Sequence, residues 1–342
     1  MAKTALVVSG GGSKGAFAVG VIRQLAMEFP DTSFDILVGT STGSLIVPLV
    51  ALDELDLLEQ LYTTVNTSDI ILEGNVGVRL LSENSLYDAK PLANLIKANL
   101  NDARCQQLLD STKELYLATT CLQTERAVYF STESPPMVGD YDVVKLNSPD
   151  ELRRAIMASA CQPVFMPPIE VKKGSLPLRQ YVDGGVREYA GIQLAIDAGA
   201  EEIFAVLLST GKDTTIEVPF GDAFAILKQT MDIFISDVGS NDIRVPAIYN
   251  RALRYIDAVK KKMKDDGTAP AKIDSWFNIP NNNPFNGKKP LKIHLIRPAD
   301  PLGGGPGGLD FNPLQMKAML AKGKQTISQY MANLPADGSG NV

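Results

Sequence analysis

The sequence predicts an α/β fold, a three-layer α/β/α arrangement with a mainly parallel central sheet and helical and loop elaboration at the C-terminal end. Two observations carry this. Short apolar runs of strand length alternate along the chain with stretches of helical periodicity, the pattern of a parallel sheet covered on both faces. The first two such runs, Thr4–Val8 and Asp35–Val38, each end in a glycine-punctuated turn that opens directly into a helical pattern. Further strands are expected at Glu114–Thr119, Ala127–Ser131, Gln180–Val182, Glu202–Leu208 and Lys292–Ile296. The main helices are expected at Lys14–Glu28, Thr42–Asp53, Leu55–Thr64, Ala89–Leu100, Pro149–Ala158 and Gly191–Ala198.

The first turn reads Gly10-Gly11-Gly12-Ser13-Lys14-Gly15, and the second reads Gly39-Thr40-Ser41-Thr42-Gly43. In a G-x-S-x-G elbow the glycines allow a sharp strand-to-helix turn that exposes the serine and aims the following N–H at an oxyanion. Ser41 is then a candidate nucleophile, with oxyanion donors in the glycine loop and at Thr42. The glycine loop also satisfies G-x-G-x-x-G through Gly10, Gly12 and Gly15, the dinucleotide fingerprint. That reading requires an acidic residue at the end of the second strand, where Thr40 and Ser41 stand instead, while Asp35 lies at its start. A phosphate-binding G-x-x-x-x-G-K-[ST] loop does not fit, because Lys14 lies between Ser13 and Gly15.

A third motif follows the run Gln180-Tyr181-Val182: Asp183-Gly184-Gly185, a carboxylate at a strand end on a tight turn. With these three motifs in order the chain resembles the patatin-like phospholipases, whose marks are G-G-G-x-[RK]-G, G-x-S-x-G and D-G-[GA]. The segment from Ala158 to Pro168, ASACQPVFMPP, is similar to that family's A-S-x-x-x-P-x-x-F-x-P pattern. The resemblance spans Lys3 to Leu208. It departs from the family at Cys161, Gln162 and Gly191, none of which touches the expected chemistry, and no motif matches from about Thr210 onward. The resemblance implies a serine lipid acyl hydrolase of phospholipase A type with Ser41 and Asp183 as catalytic dyad. Gly10, Gly11, Gly12 and Thr42 would form the oxyanion hole, supported by Lys14, Gly15, Gly39, Gly43, Gly184 and Gly185. The implied substrate is a lipid or fatty-acyl ester, with no cofactor and no metal.

Such a dyad has its own physical requirements. A serine hydroxyl is a poor nucleophile until a base within hydrogen-bond reach accepts its proton. An aspartate with an ordinary pKa is a weak base near neutrality, so burial is expected to raise that of Asp183. A Ser-His-Asp triad is the alternative, since Ser41, Asp183 and His294 stand in α/β-hydrolase order and His294 is the single histidine. His294 lies inside an alternating strand-like run, whereas catalytic histidines usually sit on loops, and a structural role is expected for it. Lys14 reads equally as an anion-attracting residue at a helix start or as a solvated first-turn lysine. Ser159 reads as a cap or backbone-bonding residue. An acyltransferase would use the same dyad, and a non-catalytic lipid-binding or regulatory module would not need the nucleophile.

The global numbers fit these expectations. A chain of 342 residues suffices for one large α/β domain, expected over residues 1–336, with a core at 3–208, a cap at 209–336 and a flexible tail at 337–342. A net charge of −6 argues against nucleic acid as a partner. Transient contact with a membrane surface stays compatible with it, and Lys260-Lys261-Lys262 with Lys264 reads as a solvated helix end. Three cysteines without paired spacing suggest neither a disulfide framework nor a zinc site. With no apolar run of spanning length and no secretory pattern, a cytoplasmic location is expected. Oligomeric state, head group and chain length are not legible.

Beyond residue 208 the pattern loosens. Residues 223–265 read as helices interrupted near Gly239 and Pro246, with Phe224, Ile226, Leu227, Met231 and Ile235 on a core-packing face. The Pro- and Asn-rich stretch from Thr268 to Pro290 carries Trp276, Phe277 and Phe285, either as a lid or folded back on the core. The glycine-rich stretch Ala299–Pro313 is expected to be a flexible surface loop.

Overall fold

The computed structural model describes residues 2–74, 79, 82–134, 140–172, 177–212, 215, 217, 219–279, 283–285, 287–334 and 340–341. The chain runs β1 (Lys3–Val8), α1 (Gly15–Glu28), β2 (Ile36–Thr40), α2 (Thr42–Ala51), α3 (Leu55–Thr64), β3 (Leu72–Glu73) and β4 (Tyr87–Asp88). Then come α4 (Lys90–Asn99), α5 (Asp102–Leu109), β5 (Glu114–Cys121), β6 (Ala127–Ser131), β7 (Tyr141–Lys145), α6 (Pro149–Ala160), β8 (Ile169–Val171) and β9 (Arg179–Asp183). The last elements are α7 (Ile192–Asp197), β10 (Ala200–Val206), α8 (Ala223–Asp265), α9 (Pro270–Phe277), β11 (Lys292–Ile296) and α10 (Pro313–Ala332). Where helices start, the sequence supplies caps: Asn101, Ser148, Asp222 and Asn312 each accept a first-turn N–H.

A nine-stranded sheet has the order β11-β10-β1-β2-β5-β6-β7, with β9 on β5 and β8 on β9. The pairs β1–β10, β1–β2, β10–β11, β2–β5 and β6–β7 are parallel, whereas β5–β6, β5–β9 and β8–β9 are antiparallel. The expected α/β sandwich with a mainly parallel sheet is thus the observed fold. Side chains along each central strand alternate between two cores. Leu6, Val8, Leu37, Leu115, Leu117 and Val206 face the layer containing α1 to α6 and α10. Ala5, Val7, Ile36, Val38, Tyr116 and Ala205 face Ile192, Leu194 and Tyr189 on the opposite side. Burial on both faces explains why these strands read as unbroken apolar runs rather than as alternating ones.

Three expectations for the C-terminal third need correction. Residues 223–265 form one continuous helix of 43 residues, not helices broken near Gly239 and Pro246. Contacts on either side keep it continuous through both residues. A Cβ on Gly239 would lie 2.6 Å from the Tyr189 ring, Asp242 accepts the Tyr189 N–H at 2.6 Å, and the Asn250 side chain bonds Leu291 N–H and C=O. Ile226, expected in the core, is 53% exposed; the Phe224 side chain lies outside the described residues. In the stretch Thr268–Pro290, α9 forms, with Trp276 half exposed, Phe277 beneath the Lys260 ammonium and Phe285 against Tyr249.

The glycine-rich stretch at 303–308 is not a free surface loop either. Gly304 and Gly308 are buried, and the loop lies on the N-terminal glycine turn, as described below. Of the tail, residues 337–339 and 342 fall outside the described residues, while the Asn341 side chain bonds the Leu295 N–H and C=O on β11. No helix among the described residues is long and apolar enough to cross a membrane.

Helix α10, absent from the sequence expectations, packs along α1. Backbones touch at two glycines: a Cβ on Gly20 would sit 2.0 Å from the Leu320 carbonyl oxygen, and one on Gly323 would sit 2.1 Å from that of Phe17. Gly323→Ala is therefore expected to force the helices apart and to destabilise the protein by about 1–3 kcal/mol, read as a lowered midpoint in urea unfolding; an unchanged midpoint contradicts the close packing.

Candidate active site

β2 delivers Ser41 in a conformation that few residues tolerate. Its φ of 55° and ψ of −121° lie in the left-handed half of backbone space, which costs a non-glycine residue about 1–3 kcal/mol. The surroundings fix it. The Ser41 N–H donates to Ser159 Oγ at 3.0 Å, and the Ser41 carbonyl accepts from the Ser44 hydroxyl at 2.6 Å and from the Ser44 N–H at 2.9 Å. The elbow needs its glycines for space: a Cβ on Gly43 would lie 2.1 Å from the Val8 carbonyl oxygen, so α2 could not start this close to β1 with any other residue.

Asp183 reaches the same place from the opposite direction. β2 pairs with β5 up to Thr40 opposite Ala118, and β9 pairs with β5 antiparallel, with Asp183 opposite Thr119. Thr119 also pairs with Val128 of β6 on its other side, so β2 and β9 share one side of β5 and meet end to end. The Asp183 N–H is held by the Cys161 carbonyl at 2.8 Å, and its Oδ1 accepts the Gly185 N–H at 2.8 Å. The Ser41 hydroxyl lies near enough to the Asp183 carboxylate to favour its charged form. Both residues are buried, Asp183 at 3% exposure and Ser41 at 7%. Burial pushes the Asp183 carboxyl up to about 6, against the opposing pull of Ser41 and Gly185.

Gly10 packs on the serine itself: a Cβ there would lie 3.1 Å from Ser41 Cβ. The turn is anchored by Ser9, whose N–H bonds Val206 and whose hydroxyl accepts the Leu208 N–H at 3.0 Å. Gly11 and Gly12 follow in a single 3₁₀ turn, Gly12–Lys14, with Gly12 at φ 57°. Thr42 begins α2, where first-turn N–H groups have no intrahelical acceptor, and its hydroxyl is engaged by Tyr62. The sequence-predicted residues Gly10, Gly11, Gly12, Ser41, Thr42, Asp183, Gly184 and Gly185 thus lie together. Lys14 stands near Asp232 of α8, whose carboxyl it helps hold down against burial.

His294 is elsewhere. On β11, at the sheet's edge, it stacks on Phe204, and its two ring nitrogens face the Tyr330 hydroxyl at 2.9 Å and Glu202 Oε1 at 3.0 Å. Burial lowers its pKa. It belongs to the edge packing, not to the Ser41 site.

Several participants were not legible in the sequence. The Gln162 amide donates to the Gly307 carbonyl at 3.0 Å, Asp232 accepts the Gly307 N–H at 3.4 Å, and a Cβ on Gly12 would strike the Gly308 carbonyl at 2.2 Å. The 303–308 loop therefore sits directly on Gly11 and Gly12. Between it and α8 remains a cavity of about 10 Å³ lined by Gln162, Phe165, Lys228, Met231, Asp232 and Ile235, among others. Behind Asp183, the carboxyls of Glu188 and Asp242 are both pushed up by burial, that of Glu188 also by the neighbouring Asp242 charge. Among the described residues, no three His, Cys, Asp or Glu side chains are grouped to hold a metal ion.

The raised Asp183 pKa has a thermodynamic sign. With a folded value of about 6 against the ordinary 3.8, the carboxyl favours the folded state fully below about 3.8 and loses that contribution as pH rises through about 6. Asp183→Asn keeps the shape without the charge, so it is expected to be more stable than wild type near pH 8 by up to about 3 kcal/mol, a gain that shrinks toward zero in acid. Urea unfolding of both proteins across this window checks it; equal pH dependence contradicts the burial argument.

The family model of the patatin-like phospholipases matches residues 6–196, a stretch containing the glycine loop, the elbow and the D-G-G turn. A search of curated proteins returned no match. Among solved structures, the chain is similar to VipD from Legionella pneumophila at 12% identity and a TM-score of 0.43, covering 97% of this chain and 67% of that one. That distant likeness adds no weight. More than half of the sequence, including every motif of the site, falls within the family match, and the chain belongs to the patatin-like phospholipase family, whose membership implies lipid acyl hydrolysis.

Proposed function

We propose that this protein hydrolyses fatty-acyl esters, phospholipids among them, through an acyl-enzyme on Ser41 with Asp183 as its base. The observation that carries the reading is a buried carboxylate, with its pKa raised to about 6, placed beside the hydroxyl of a serine held in a strained elbow. As Ser41 Oγ attacks the ester carbonyl, its proton passes to Asp183. The tetrahedral oxyanion is met by N–H groups of Gly11, Gly12 and Thr42, each donor worth about 3–4 kcal/mol in comparable sites. Collapse expels the alcohol, which takes the proton from Asp183. Water, deprotonated by the same carboxylate, then attacks the acyl-enzyme and restores Ser41.

A base must be ionised to act, so the pKa fixes the direction of the pH profile: kcat/KM is expected to rise through about pH 6 and level off above it. Ser41 and Asp183 are only 7% and 3% exposed, and Ile235 of α8 lies against the Gly185 turn beside them. Admission of an acyl chain therefore requires α8 or the 303–308 loop to shift outward.

Hydrolysis of a soluble fatty-acyl ester and of phospholipid vesicles by the wild type and three variants tests the reading. Ser41→Ala is expected to be inactive and Asp183→Asn to lose about 10²–10⁴-fold, while folded His294→Gln keeps turnover within a few-fold. Near-complete loss in folded His294→Gln, or activity persisting in Ser41→Ala, would overturn the dyad.

A further inference from the structure

Helix α8 is amphipathic in an unusual sense. Its inner face carries Ile235, Gly239, Asp242, Pro246, Asn250 and Leu253, which meet the D-G-G turn, Tyr189 and Leu291. The opposite face, ordinarily the polar one, presents Ile226, Ile233, Phe234, Val245, Ile248 and Tyr255, between 45% and 71% exposed. At about 100° per residue these six fall within a sector of about 120°. An apolar stripe of this length on a solvent-facing helix marks a contact surface rather than scattered exposure.

Charge identifies what it contacts. In a chain of net charge −6, residues 244–264 hold seven basic residues and one acidic residue, Asp257. Arg244, Arg251 and Lys262 share the sector of the apolar stripe with one exposed carboxylate, Asp237, so cationic groups outnumber the anionic one on that face and interleave with Ile248 and Tyr255. Among the described residues, ion pairs of this segment with aspartates lie toward its far end, where Lys260 meets Asp274 at 3.9 Å, Lys261 meets Asp265 at 2.8 Å and Lys262 meets Asp266 at 3.5 Å. A basic helix with an aliphatic and aromatic outer face matches the chemistry of an anionic lipid surface, which takes apolar groups below the headgroups and cations among them.

We propose that the outer face of α8 docks this protein on anionic bilayers. Resting on the lipid-ester reading above, the assignment gives the helix two roles. Its inner face packs through Ile235 on the D-G-G turn beside Ser41, and its outer face lies one helix diameter away, about 10 Å, on the lipid. Engagement of the stripe draws on the same element that must shift to admit an acyl chain.

The test uses the full chain carrying Ser41→Ala, sedimented with vesicles of phosphatidylcholine alone or with phosphatidylglycerol, at low and high salt. Binding is expected to the phosphatidylglycerol vesicles and to weaken with salt. Ile233→Ser with Phe234→Ser, both on the solvent side, is expected to lower vesicle affinity by about tenfold or more, and Arg244→Gln with Arg251→Gln by several-fold. In the Ser41 background the stripe variant keeps wild-type turnover of a soluble short-chain ester. Failure to bind anionic vesicles, or equal binding by the stripe variant, overturns the proposal. A dimer by light scattering that the stripe substitutions convert to monomer, without vesicle binding, assigns the stripe to a second copy and overturns it too. Vesicle binding by a protein inactive on the soluble ester supports docking and removes the hydrolase reading instead.

Discussion

Two strand ends meeting on one side of β5 set the position of everything else at the site. Thr40 of β2 sits opposite Ala118, and Asp183 of β9 sits opposite Thr119. Because the strands approach from opposite directions, each carboxyl end points at the other, and the chain must leave both at once. It does so through glycine: a Cβ on Gly184 would lie 2.5 Å from the Ala118 carbonyl oxygen, and one on Gly43 would lie 2.1 Å from that of Val8. The hydrogen-bonded register of β5 thus replaces a flexible loop as the device that fixes the distance from carboxylate to hydroxyl. Rigid positioning of this kind is what the proposed pairing of Ser41 with Asp183 needs.

The same arrangement stores free energy unfavourably. A carboxyl buried beneath α8 opposes folding at neutral pH, and Ser41 adds the cost of its left-handed backbone. Both are offset by groups around the site rather than in it. Ser159 and Ser44 satisfy the Ser41 backbone, the Cys161 carbonyl holds the Asp183 N–H, and Gly185 bonds the carboxylate. All but Gly185 are side chains or backbone groups of α2 and of the α6 C-terminus, so the stability of those helices and the placement of Ser41 and Asp183 are one property.

Above the dyad, the C-terminal third supplies a roof. α8 and the 303–308 loop touch each other through Asp232 and Gly307, and the loop touches Gly11 and Gly12 backbone to backbone. α10 plays the corresponding part from below, locked to α1 through Gly20 and Gly323. The helix that opens from the glycine turn is therefore held by an element almost three hundred residues later in the chain, which explains why the fold is not complete at residue 208 even though the motifs are.

The sequence alone determined what is local. Strand-length apolar runs, their glycine exits and the helical periods that follow fix φ and ψ preferences within a few residues, so β1, α1, β2, α2, β5, β6, β9 and the three motif turns were legible near their observed bounds. The resemblance then paired Ser41 with Asp183. Tertiary structure alone decided what depends on distant partners. The 43-residue run of α8 overrides the breaking tendencies of Gly239 and Pro246 through contacts with Tyr189, Ala190 and Leu291. The loop at 303–308, flexible by composition, is ordered because only glycines fit that closely against other glycines. Helix α10 at Pro313–Ala332 was not read from the sequence, and its packing partner α1 lies almost three hundred residues earlier. Neither the antiparallel direction of β9 nor the raised pKa of Asp183 resides in any short segment, because strand direction and desolvation are set by what the rest of the chain places alongside.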